Sequence, residues 1–321
     1  MDLVCFGELL IDFVATATGP LRAAPGFIKA AGGAPANVAV AAARLGCETA
    51  FIGAAGKDEF GSFLKDELEK NGIDVKGLQL SAEGATPLAF VSLKENAERD
   101  FLFYWRGTAD HFMRPRRIPM QMVRSSRIFH YGSISLIHPV TRRATRVVLD
   151  TALESGKTLV SCDPNLRLNL WPSSSQARAT ILRTIKTANL VKINEEELRF
   201  LTLNKDLYRG IRSLSGVTEA ALLVTRGPRG AAFRWRRVEG EVAGFAVEAI
   251  DTTGAGDGFV AGFLSRLLQS PGNLRELAPE AQTLAQWIRY ANAVGALATT
   301  RRGAIPSFPA PAEVASLLSP S

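Results

Sequence analysis

No apolar run in this 321-residue sequence reaches the roughly 18 residues that a membrane-spanning helix needs. A basic and apolar leader is also missing, because the chain begins directly with the strand-like segment Leu3 to Phe6. Both absences argue against membrane insertion and secretion, so we expect a cytoplasmic protein with no membrane partner. With 46% hydrophobic and 21% charged residues, the composition is that of a globular protein with a large core.

Cysteine is scarce, and the three present are Cys5, Cys47 and Cys162. An odd number at wide spacings, without a Cys-x-x-Cys pair, predicts neither a disulfide framework nor a zinc site. We therefore expect these side chains to serve as small, buried, apolar groups.

A basic tract interleaved with aromatic residues, typical of nucleic-acid-binding proteins, is also absent. The 38 Lys and Arg residues exceed the 31 Asp and Glu residues by seven, but they are spread along the chain. The run Arg114-Pro115-Arg116-Arg117 is typical of a solvated loop. We expect no nucleic-acid partner, although a mild positive field would help to gather an anionic nucleotide.

The chain lacks two common nucleotide-binding fingerprints. The dinucleotide pattern G-x-G-x-x-G needs a small residue where this chain has Phe259, after Gly254 and Gly256. The Gly-Lys-Thr at 156–158 lacks the leading Gly of a Walker A loop, because position 151 is Thr. A nicotinamide cofactor is disfavoured, and any ATP must be held in another way.

What the sequence does contain is a glycine-rich turn at 251–258 that runs directly into a helix of small residues. Such a turn leaves helix N–H groups unpaired, and the helix dipole adds partial positive charge, so an anion site suited to phosphate is predicted. Asp257 would repel an anion unless it has its own task, such as taking a hydroxyl proton during phosphate transfer. The alternative is an ordinary helix start with an N-terminal Asp.

Strands and helices alternate along most of the chain, which predicts a parallel sheet covered by helices. We expect strands at 3–14, 50–54, 128–131, 159–162, 190–193 and 222–225, and helices at 38–45, 63–71, 140–155, 175–187, 195–201 and 281–299. Polar clusters follow three of the strands, at 163–167, 192–197 and 225–230. Because the carboxyl ends of parallel strands share one edge, these clusters are expected to meet in one crevice.

Two segments, 13–28 and 88–105, break this alternation. Within the second, 89–93 and 101–105 read as antiparallel strands joined by 95–100. The pattern predicts a separate small sheet whose apolar face covers a ligand cleft or a partner subunit. Packing on its own core is the alternative.

Taken together, these motifs resemble those of the ribokinase-like (PfkB) carbohydrate kinases. Ala31-Gly32-Gly33-x-x-x-Asn37, with Gly46 and Gly56, is similar to the N-terminal signature of that family, and 251–257 is similar to its C-terminal signature. The resemblance spans about residues 2–318 and sharpens to the fructokinase branch at 7–13, 32–40, 131–136, 163–167 and 171–172. It implies one domain over 1–321, with three α/β/α layers, a mostly parallel central sheet and a β lid built from about 13–30 and 86–106.

The resemblance also implies roles for individual residues. Asp257 would be the catalytic base, and the N–H groups of Gly254, Ala255, Gly256 and Asp257 would hold the transferring phosphoryl group. The sugar would be bound by Asp12, Gly32, Gly33, Asn37, Phe101 and Arg167. ATP would be bound by Lys192, Asn194, Glu197, Thr225, Gly227, Gly230 and Asn292, with Glu197 also organising Mg²⁺ through water. K⁺ would lie among Asp251, Thr253, Ala298, Arg301, Gly303 and Ser307.

The implied activity is ATP-dependent phosphorylation of fructose to fructose 6-phosphate, by an enzyme that requires Mg²⁺ and forms a homodimer through the lid. One alternative is 2-keto-3-deoxygluconate kinase, which shares both signatures and the Asp-Pro-Asn-x-Arg element. Another is a sugar-sensing protein without turnover, which has no physical need for a base in an anion site. Two features depart from the family pattern: Arg226 leaves the purine preference open, and the basic stretch after Leu201 is short.

Overall fold

The computed structural model describes residues 1–93 and 99–319. The strands are β1 (Leu3–Phe6), β2 (Leu10–Thr18), β3 (Phe27–Gly32), β4 (Thr49–Gly56), β5 (Asp74–Ser81), β6 (Leu88–Leu93), β7 (Arg99–Tyr104), β8 (Ile128–Gly132), β9 (Leu159–Asp163), β10 (Leu190–Asn194), β11 (Ala221–Thr225), β12 (Ala231–Trp235) and β13 (Val238–Val242). The helices are α1 (Ala34–Arg44), α2 (Glu59–Lys70), α3 (Met120–Ser125), α4 (Pro139–Glu154), α5 (Ser174–Thr184), α6 (Glu195–Thr202), α7 (Leu207–Ser215), α8 (Ala255–Leu267), α9 (Ala281–Leu297), α10 (Ala304–Ser307) and α11 (Pro311–Leu318).

Nine strands of the described residues form a large sheet in the order β13-β12-β11-β10-β9-β8-β1-β4-β5. From β11 to β5 every neighbouring pair is parallel, and β12 and β13 add an antiparallel edge. The predicted mostly parallel sheet is therefore confirmed. The strands followed by the three polar clusters, β9, β10 and β11, are direct neighbours, so their carboxyl ends lie side by side.

Helices cover both faces of this sheet, because successive side chains of a strand point to opposite faces. In β1, Leu3 and Cys5 belong to an apolar cluster with α1, α2, α8 and α9. Val4 and Phe6 belong to a second cluster with α3, α4, α5, α6 and α7. A strand buried on both faces reads as a continuous apolar run, and the three layers follow from it.

A separate small sheet has the order β3-β2-β6-β7, with β6 and β7 antiparallel as the sequence predicts. The prediction of a single strand over 3–14 is wrong. The chain leaves the large sheet after Phe6 and enters the small sheet at Leu10, so Asp12 lies inside β2 and not at a strand end. Of the predicted connection 95–100, residues 95–98 lie outside the described part of the chain.

Several elements were not predicted from the sequence, namely β5, β12, β13, α7 and α11. Helix α7 fills the stretch after Leu201, where its Ile211 and Leu214 are buried. Asp206 is the N-cap residue of α7 and accepts a hydrogen bond from the N–H of Arg209 at 2.8 Å. Asp is a preferred N-cap residue, so the start of this helix is visible in the sequence.

The structure also bears on three features noted in the sequence: membrane-spanning segments, the cysteines and the basic run at 114–117. Among the described residues, no helix is both long and apolar enough to cross a membrane. Cys5 and Cys162 are buried and Cys47 is half-buried, and burial raises the pKa of each thiol. Arg114, Arg116 and Arg117 are exposed, as predicted for a solvated loop.

Candidate functional site

A cleft of about 810 Å³ lies between the carboxyl ends of the central strands and the small sheet. Both sheets and the start of α8 contribute to its walls. Its lining residues are Glu8, Leu10, Asp12, Gly33, Ala34, Asn37, Phe101, Phe103, Ile134, Asp163, Asn165, Arg167, Lys192, Asn194, Glu196, Thr225, Thr252, Thr253, Gly254, Gly256 and Asp257. The polar clusters after β9, β10 and β11 therefore meet in one crevice, as predicted.

The N-terminus of α8 opens into this cleft. Gly254 precedes the helix with a φ of 80°, in the left-handed region that favours glycine, and a Cβ there would lie 2.9 Å from the Cβ of Ala304. Because glycine has no side chain, this helix end receives no side-chain cap at that position. The N–H of Ala255 donates to the carbonyl of Thr252 at 3.3 Å. The N–H groups of Gly256 and Asp257 follow in the same first turn, where helix donors lack intrahelical partners.

Asp257 is buried in the first turn of α8, and its Oδ2 accepts a hydrogen bond from Asn37 Nδ2 at 2.8 Å. Burial raises the pKa of this carboxyl to about 6, against the lowering effects of the Asn37 hydrogen bond and of Lys192 and Arg167. The carboxylate is therefore ionised above about pH 6. A buried carboxylate with a pKa near neutrality is suited to accept a proton.

The residues predicted to bind a sugar lie around Asp257. Asp12 comes from β2, and its Oδ2 would lie only 2.2 Å from a Cβ at Gly32, so a side chain there would displace the Asp12 carboxylate. Gly33 has a φ of 113° and packs on the carbonyl of Glu8 at the start of α1, where a Cβ would be 2.3 Å from that oxygen. Backbone can thus approach a ligand closely at both positions.

Phe101 and Arg167 form the opposite wall. The Arg167 guanidinium lies 5.6 Å from the Phe101 ring centroid and donates to Asn165 Oδ1 at 2.7 Å. Phe103 stacks on Phe101 with ring centroids 5.7 Å apart and also lines the cleft. Phe103 was not predicted as a site residue, although the period of two along a strand would have placed it on the face of Phe101.

Lys192 and Asp163 form a buried ion pair at the floor of the cleft, with Lys192 Nζ 2.9 Å from Asp163 Oδ2. The attraction of Asp163 raises the pKa of Lys192 even though burial acts to lower it. The same Nζ would be 2.9 Å from a Cβ at Gly256, so a fixed positive charge lies beside the start of α8. Asp163 received no individual role from the sequence.

Asn194 and Glu197 form the capping box of α6. Glu197 Oε2 accepts from the N–H of Asn194 at 2.8 Å and Oε1 from the N–H of Leu166 at 2.6 Å, while Asn194 Oδ1 accepts from Glu197 N. Burial raises the pKa of Glu197. Both carboxylate oxygens accept backbone N–H groups, so the side chain of Glu197 is held in place by the starts of α6 and of the segment after β9. Within the described ranges, no group of three or more His, Cys, Asp or Glu residues could hold a metal.

The turn after β11 carries the remaining predicted nucleotide residues. Thr225 lines the cleft, and Gly227 and Gly230 follow with φ values of 57° and 88°. Asn292, on α9, does not line the cleft; its Nδ2 donates to the carbonyls of Val242 and Ala243 at 3.2 and 3.0 Å. A Cβ at Gly230 would be 2.1 Å from the carbonyl oxygen of Val242, so Asn292 supports the segment on which this turn packs.

The residues predicted to bind K⁺ include Asp251 and Thr253, which lie just before the start of α8. Asp251 accepts from the N–H groups of Thr253 and Gly303 at 2.9 and 2.7 Å. Ser307 is fully buried, and the buried Oγ1 of Thr253 has no hydrogen-bond partner within residues 1–93 and 99–319. A carboxylate beside a buried hydroxyl without a partner is a donor set that fits K⁺. The Arg301 guanidinium instead pairs with Glu313, and Ala298 is buried.

The chain is similar to known proteins over almost its whole length. Residues 1–311 match the family described as pfkB family carbohydrate kinase. Probable fructokinase-3 of Arabidopsis thaliana is 44% identical over 318 residues, which is 98% of this chain and 91% of that protein.

Two solved structures are also similar. The structure of fructokinase with bound ATP from Xylella fastidiosa has a TM-score of 0.89 and 36% identity, covering 99% of this chain and 98% of that one. A double mutant of fructokinase from Vibrio cholerae O395, in a form with fructose, ADP and a potassium ion bound, has a TM-score of 0.88 and 33% identity, with coverage of 99% and 98%. The fold of this chain is thus the fold of those kinases.

Proposed function

Because this chain belongs to the pfkB family of carbohydrate kinases, we propose that it transfers the terminal phosphate of ATP to fructose, giving fructose 6-phosphate and ADP. The observation that carries the proposal is the placement of the buried Asp257 carboxylate at the uncapped start of α8, inside a cleft that Asp12 and Asn37 enter from the other side. A proton acceptor and a phosphate site thereby share one turn of helix.

In this mechanism Asp257 accepts the proton of the sugar hydroxyl while that oxygen forms a bond to the terminal phosphorus of ATP. The bond from phosphorus to the bridging oxygen breaks, and ADP leaves with its electron pair. Asn37 Nδ2 holds Asp257 in position through the 2.8 Å hydrogen bond. The base contributes on the order of 10²- to 10⁴-fold to the rate.

The N–H groups at the start of α8, with Gly254, Ala255, Gly256 and Asp257 as its first residues, would stabilise charge on the transferring phosphoryl group. The Lys192 ammonium lies next to this turn and would contact the phosphates of ATP. Thr225 and the Gly227 to Gly230 turn would form the more distant part of the ATP site. Mg²⁺ bound to the phosphates would neutralise their charge, with Asn194 and Glu197 holding its waters.

The charges in the cleft favour a neutral sugar over an acidic one. Glu8, Asp12 and Asp257 all line it, whereas Lys192 is already paired with Asp163. Arg167 is then the remaining cation among the described lining residues, and it donates to Asn165. A sugar carboxylate would meet a surplus of negative charge, so fructose fits better than 2-keto-3-deoxygluconate.

A coupled assay of ADP release with fructose, ribose and 2-keto-3-deoxygluconate tests the proposal directly. We expect fructose to give the highest kcat/KM. Higher kcat/KM with 2-keto-3-deoxygluconate would replace the substrate assignment. Sugar binding without ADP release from any of the three would favour a sugar-sensing protein.

We expect K⁺ to activate the enzyme, since Asp251 and the buried Thr253 hydroxyl would hold the ion beside the turn that starts α8. Rates should rise when K⁺ replaces tetramethylammonium at matched ionic strength, and Thr253→Val should weaken this response because it removes one ligand oxygen. Equal rates in the two salts would contradict the cation site.

The small sheet is proposed to be a lid that closes over the sugar and also joins two subunits. Its inner face carries Phe101 and Phe103 into the cleft. Its outer face carries an apolar cluster formed by Phe13, Phe27, Phe90, Leu102 and Tyr104, in which Leu102 is 48% and Tyr104 58% exposed. The single domain over 1–321 and the cytoplasmic location remain predictions.

The two faces of the lid should respond differently to a charge. Phe101 and Phe103 lie on one face of the lid, and Leu102 lies on the other. Leu102→Asp should yield monomers because it places a carboxylate in the proposed dimer contact. Phe103→Asp should raise the fructose KM and leave the dimer intact. Sedimentation at micromolar concentration and initial rates measure the two effects. A wild-type protein that sediments as a monomer would refute the dimer and leave the kinase assignment standing.

A further inference from the structure

Glu8 is a carboxylate in the cleft that has no part in the mechanism above. It lies two residues after the end of β1, and only 5% of the residue is exposed. Its Oε1 accepts a hydrogen bond from the N–H of Ala34, the first residue of α1, at 3.1 Å. One of the two carboxylate oxygens therefore has a hydrogen-bond partner, the N–H group at the start of α1.

The other oxygen is not accounted for. Glu8 Oε2 is buried and has no hydrogen-bond partner within the part of the chain that the structure describes, and the same holds for Asn37 Oδ1. Both residues line the cleft, and the other amide atom of Asn37 is bound to Asp257. Two buried acceptors without donors are costly, unless a ligand supplies the missing O–H or N–H groups.

The charges around Glu8 fit a ligand that carries hydroxyl groups. Burial raises the pKa of Glu8 to about 7, against the lowering effects of the backbone N–H groups of Glu8 and Ala34; the charge of Asp257 adds to the rise and that of Arg167 opposes it. A cation would also satisfy a buried carboxylate. However, Asn37 Oδ1 is a neutral acceptor in the same wall, and a polyhydroxylated sugar supplies donors to both atoms at once.

We propose that Glu8 is a sugar-binding residue, with Oε1 holding the start of α1 and Oε2 accepting a hydrogen bond from a hydroxyl of the bound sugar. This inference rests on the proposed function, because the sugar must enter the same cleft. It adds a contact from β1 to those of Asp12, Asn37 and Asp257. The sugar would thereby be held from the large sheet as well as from the lid.

Glu8→Gln separates the two roles of this side chain. The amide oxygen of Gln can still accept from Ala34 N, whereas the NH₂ group replaces the acceptor that faces the cleft. We expect the Kd for fructose, titrated by calorimetry in the presence of a non-hydrolysable ATP analogue, to rise at least ~10-fold, the usual size of a lost buried hydrogen bond. The KM for ATP should change less than about twofold, because the nucleotide lies at the other end of the cleft.

Glu59→Gln is the matched control, since Glu59 is an exposed carboxylate in the first turn of α2. Glu8→Asp is a second variant that keeps the charge and withdraws it by one methylene, for use if Glu8→Gln does not fold. Monodeoxyfructoses then identify the hydroxyl: the analogue that lacks it should bind wild type weakly and bind Glu8→Gln with little additional loss.

Four outcomes are distinguishable. A raised fructose Kd in the Glu8 variant, with normal binding of ATP, supports the inference. Wild-type fructose affinity in a folded Glu8→Gln variant overturns it, and Glu8 is then a helix cap alone. A weakened affinity for both ligands also overturns it, since that pattern indicates a general disturbance of α1. If wild type neither binds nor phosphorylates any of the three sugars, the proposed function fails together with this inference.

Discussion

Asp257→Asn is expected to lower kcat at least ~10²-fold, because the variant keeps the shape of the side chain and removes the proton acceptor. Its amide oxygen can still accept the hydrogen bond that Asn37 Nδ2 now donates to Oδ2. Fructose binding should therefore change little. Initial rates and calorimetric titration of fructose measure the two quantities separately.

The fold should survive this substitution. Burial raises the pKa of Asp257 to about 6, so the folded state binds the proton more tightly than the unfolded state does. Stability contributed by this group is present at low pH and is lost as the pH rises toward about 6, where the buried carboxylate ionises. Replacing it by a neutral amide removes that cost, and the Tm of the variant at pH 7.5 should equal or exceed that of wild type.

The pH dependence gives an independent check. In wild type, kcat should fall as the pH drops through about 6, because the base becomes protonated. Asp257→Asn should lack this limb, and the exposed Asp66→Asn should keep it. A folded Asp257→Asn variant with near-normal kcat would remove Asp257 from the role of base.

Gly256→Val is expected to reduce kcat by about 10²-fold, the loss that follows when one preorganised anion donor is displaced. A Cβ at this position would lie 2.9 Å from Lys192 Nζ, and Lys192 cannot withdraw freely because its ammonium is held at 2.9 Å by Asp163. The two methyl groups of Val would then occupy the space beside the ammonium, where phosphate is proposed to bind. ADP release at saturating fructose measures the effect.

Gly254→Val is the informative comparison for this prediction. Gly254 has a φ of 80° and would place its Cβ 2.9 Å from that of Ala304, so this change should lower the Tm. Gly256 has no positive φ, so only the contact with the held Lys192 ammonium opposes a side chain there, and its variant should lose less Tm than Gly254→Val. Wild-type kinetics for folded Gly256→Val would show that the phosphate site lies elsewhere.

Local sequence determined the parts of this protein that depend on neighbouring residues. The turn at 251–258 predicts an uncapped helix start. The first N–H groups of a helix have no intrahelical partner, and glycine has no side chain that could cap them. The alternation of strands and helices predicts the parallel sheet, and the short apolar runs that end at Asp163 and Asn194 predict where polar residues meet. The fold, and the meeting of the polar clusters with this helix start in one cleft, could therefore be predicted from the sequence.

Other features depend on contacts between residues far apart in the sequence, which a local pattern does not show. Apolar residues on both sides of Gly7 and Glu8 concealed the crossing from one sheet to the other, because they read as one strand. Helix α7 and the edge strands β12 and β13 were also missed, although Ile211 and Leu214 of α7 are buried at helical spacing. Resemblance to a family, and not periodicity, assigned the sugar-binding roles of Asp12 and Asn37.

What the sequence determined by itself was a glycine-rich helix start with a carboxylate in its first turn. Only the tertiary structure decided the surroundings of that carboxylate, because Asn37 lies 220 positions away in the sequence and contacts Asp257 through the packing of α1 against α8. Burial between these helices raises the pKa of Asp257, and the same packing leaves one oxygen of Glu8 without a protein partner in the described chain. Desolvation arises from contacts between distant segments, so it appears only once the chain has folded.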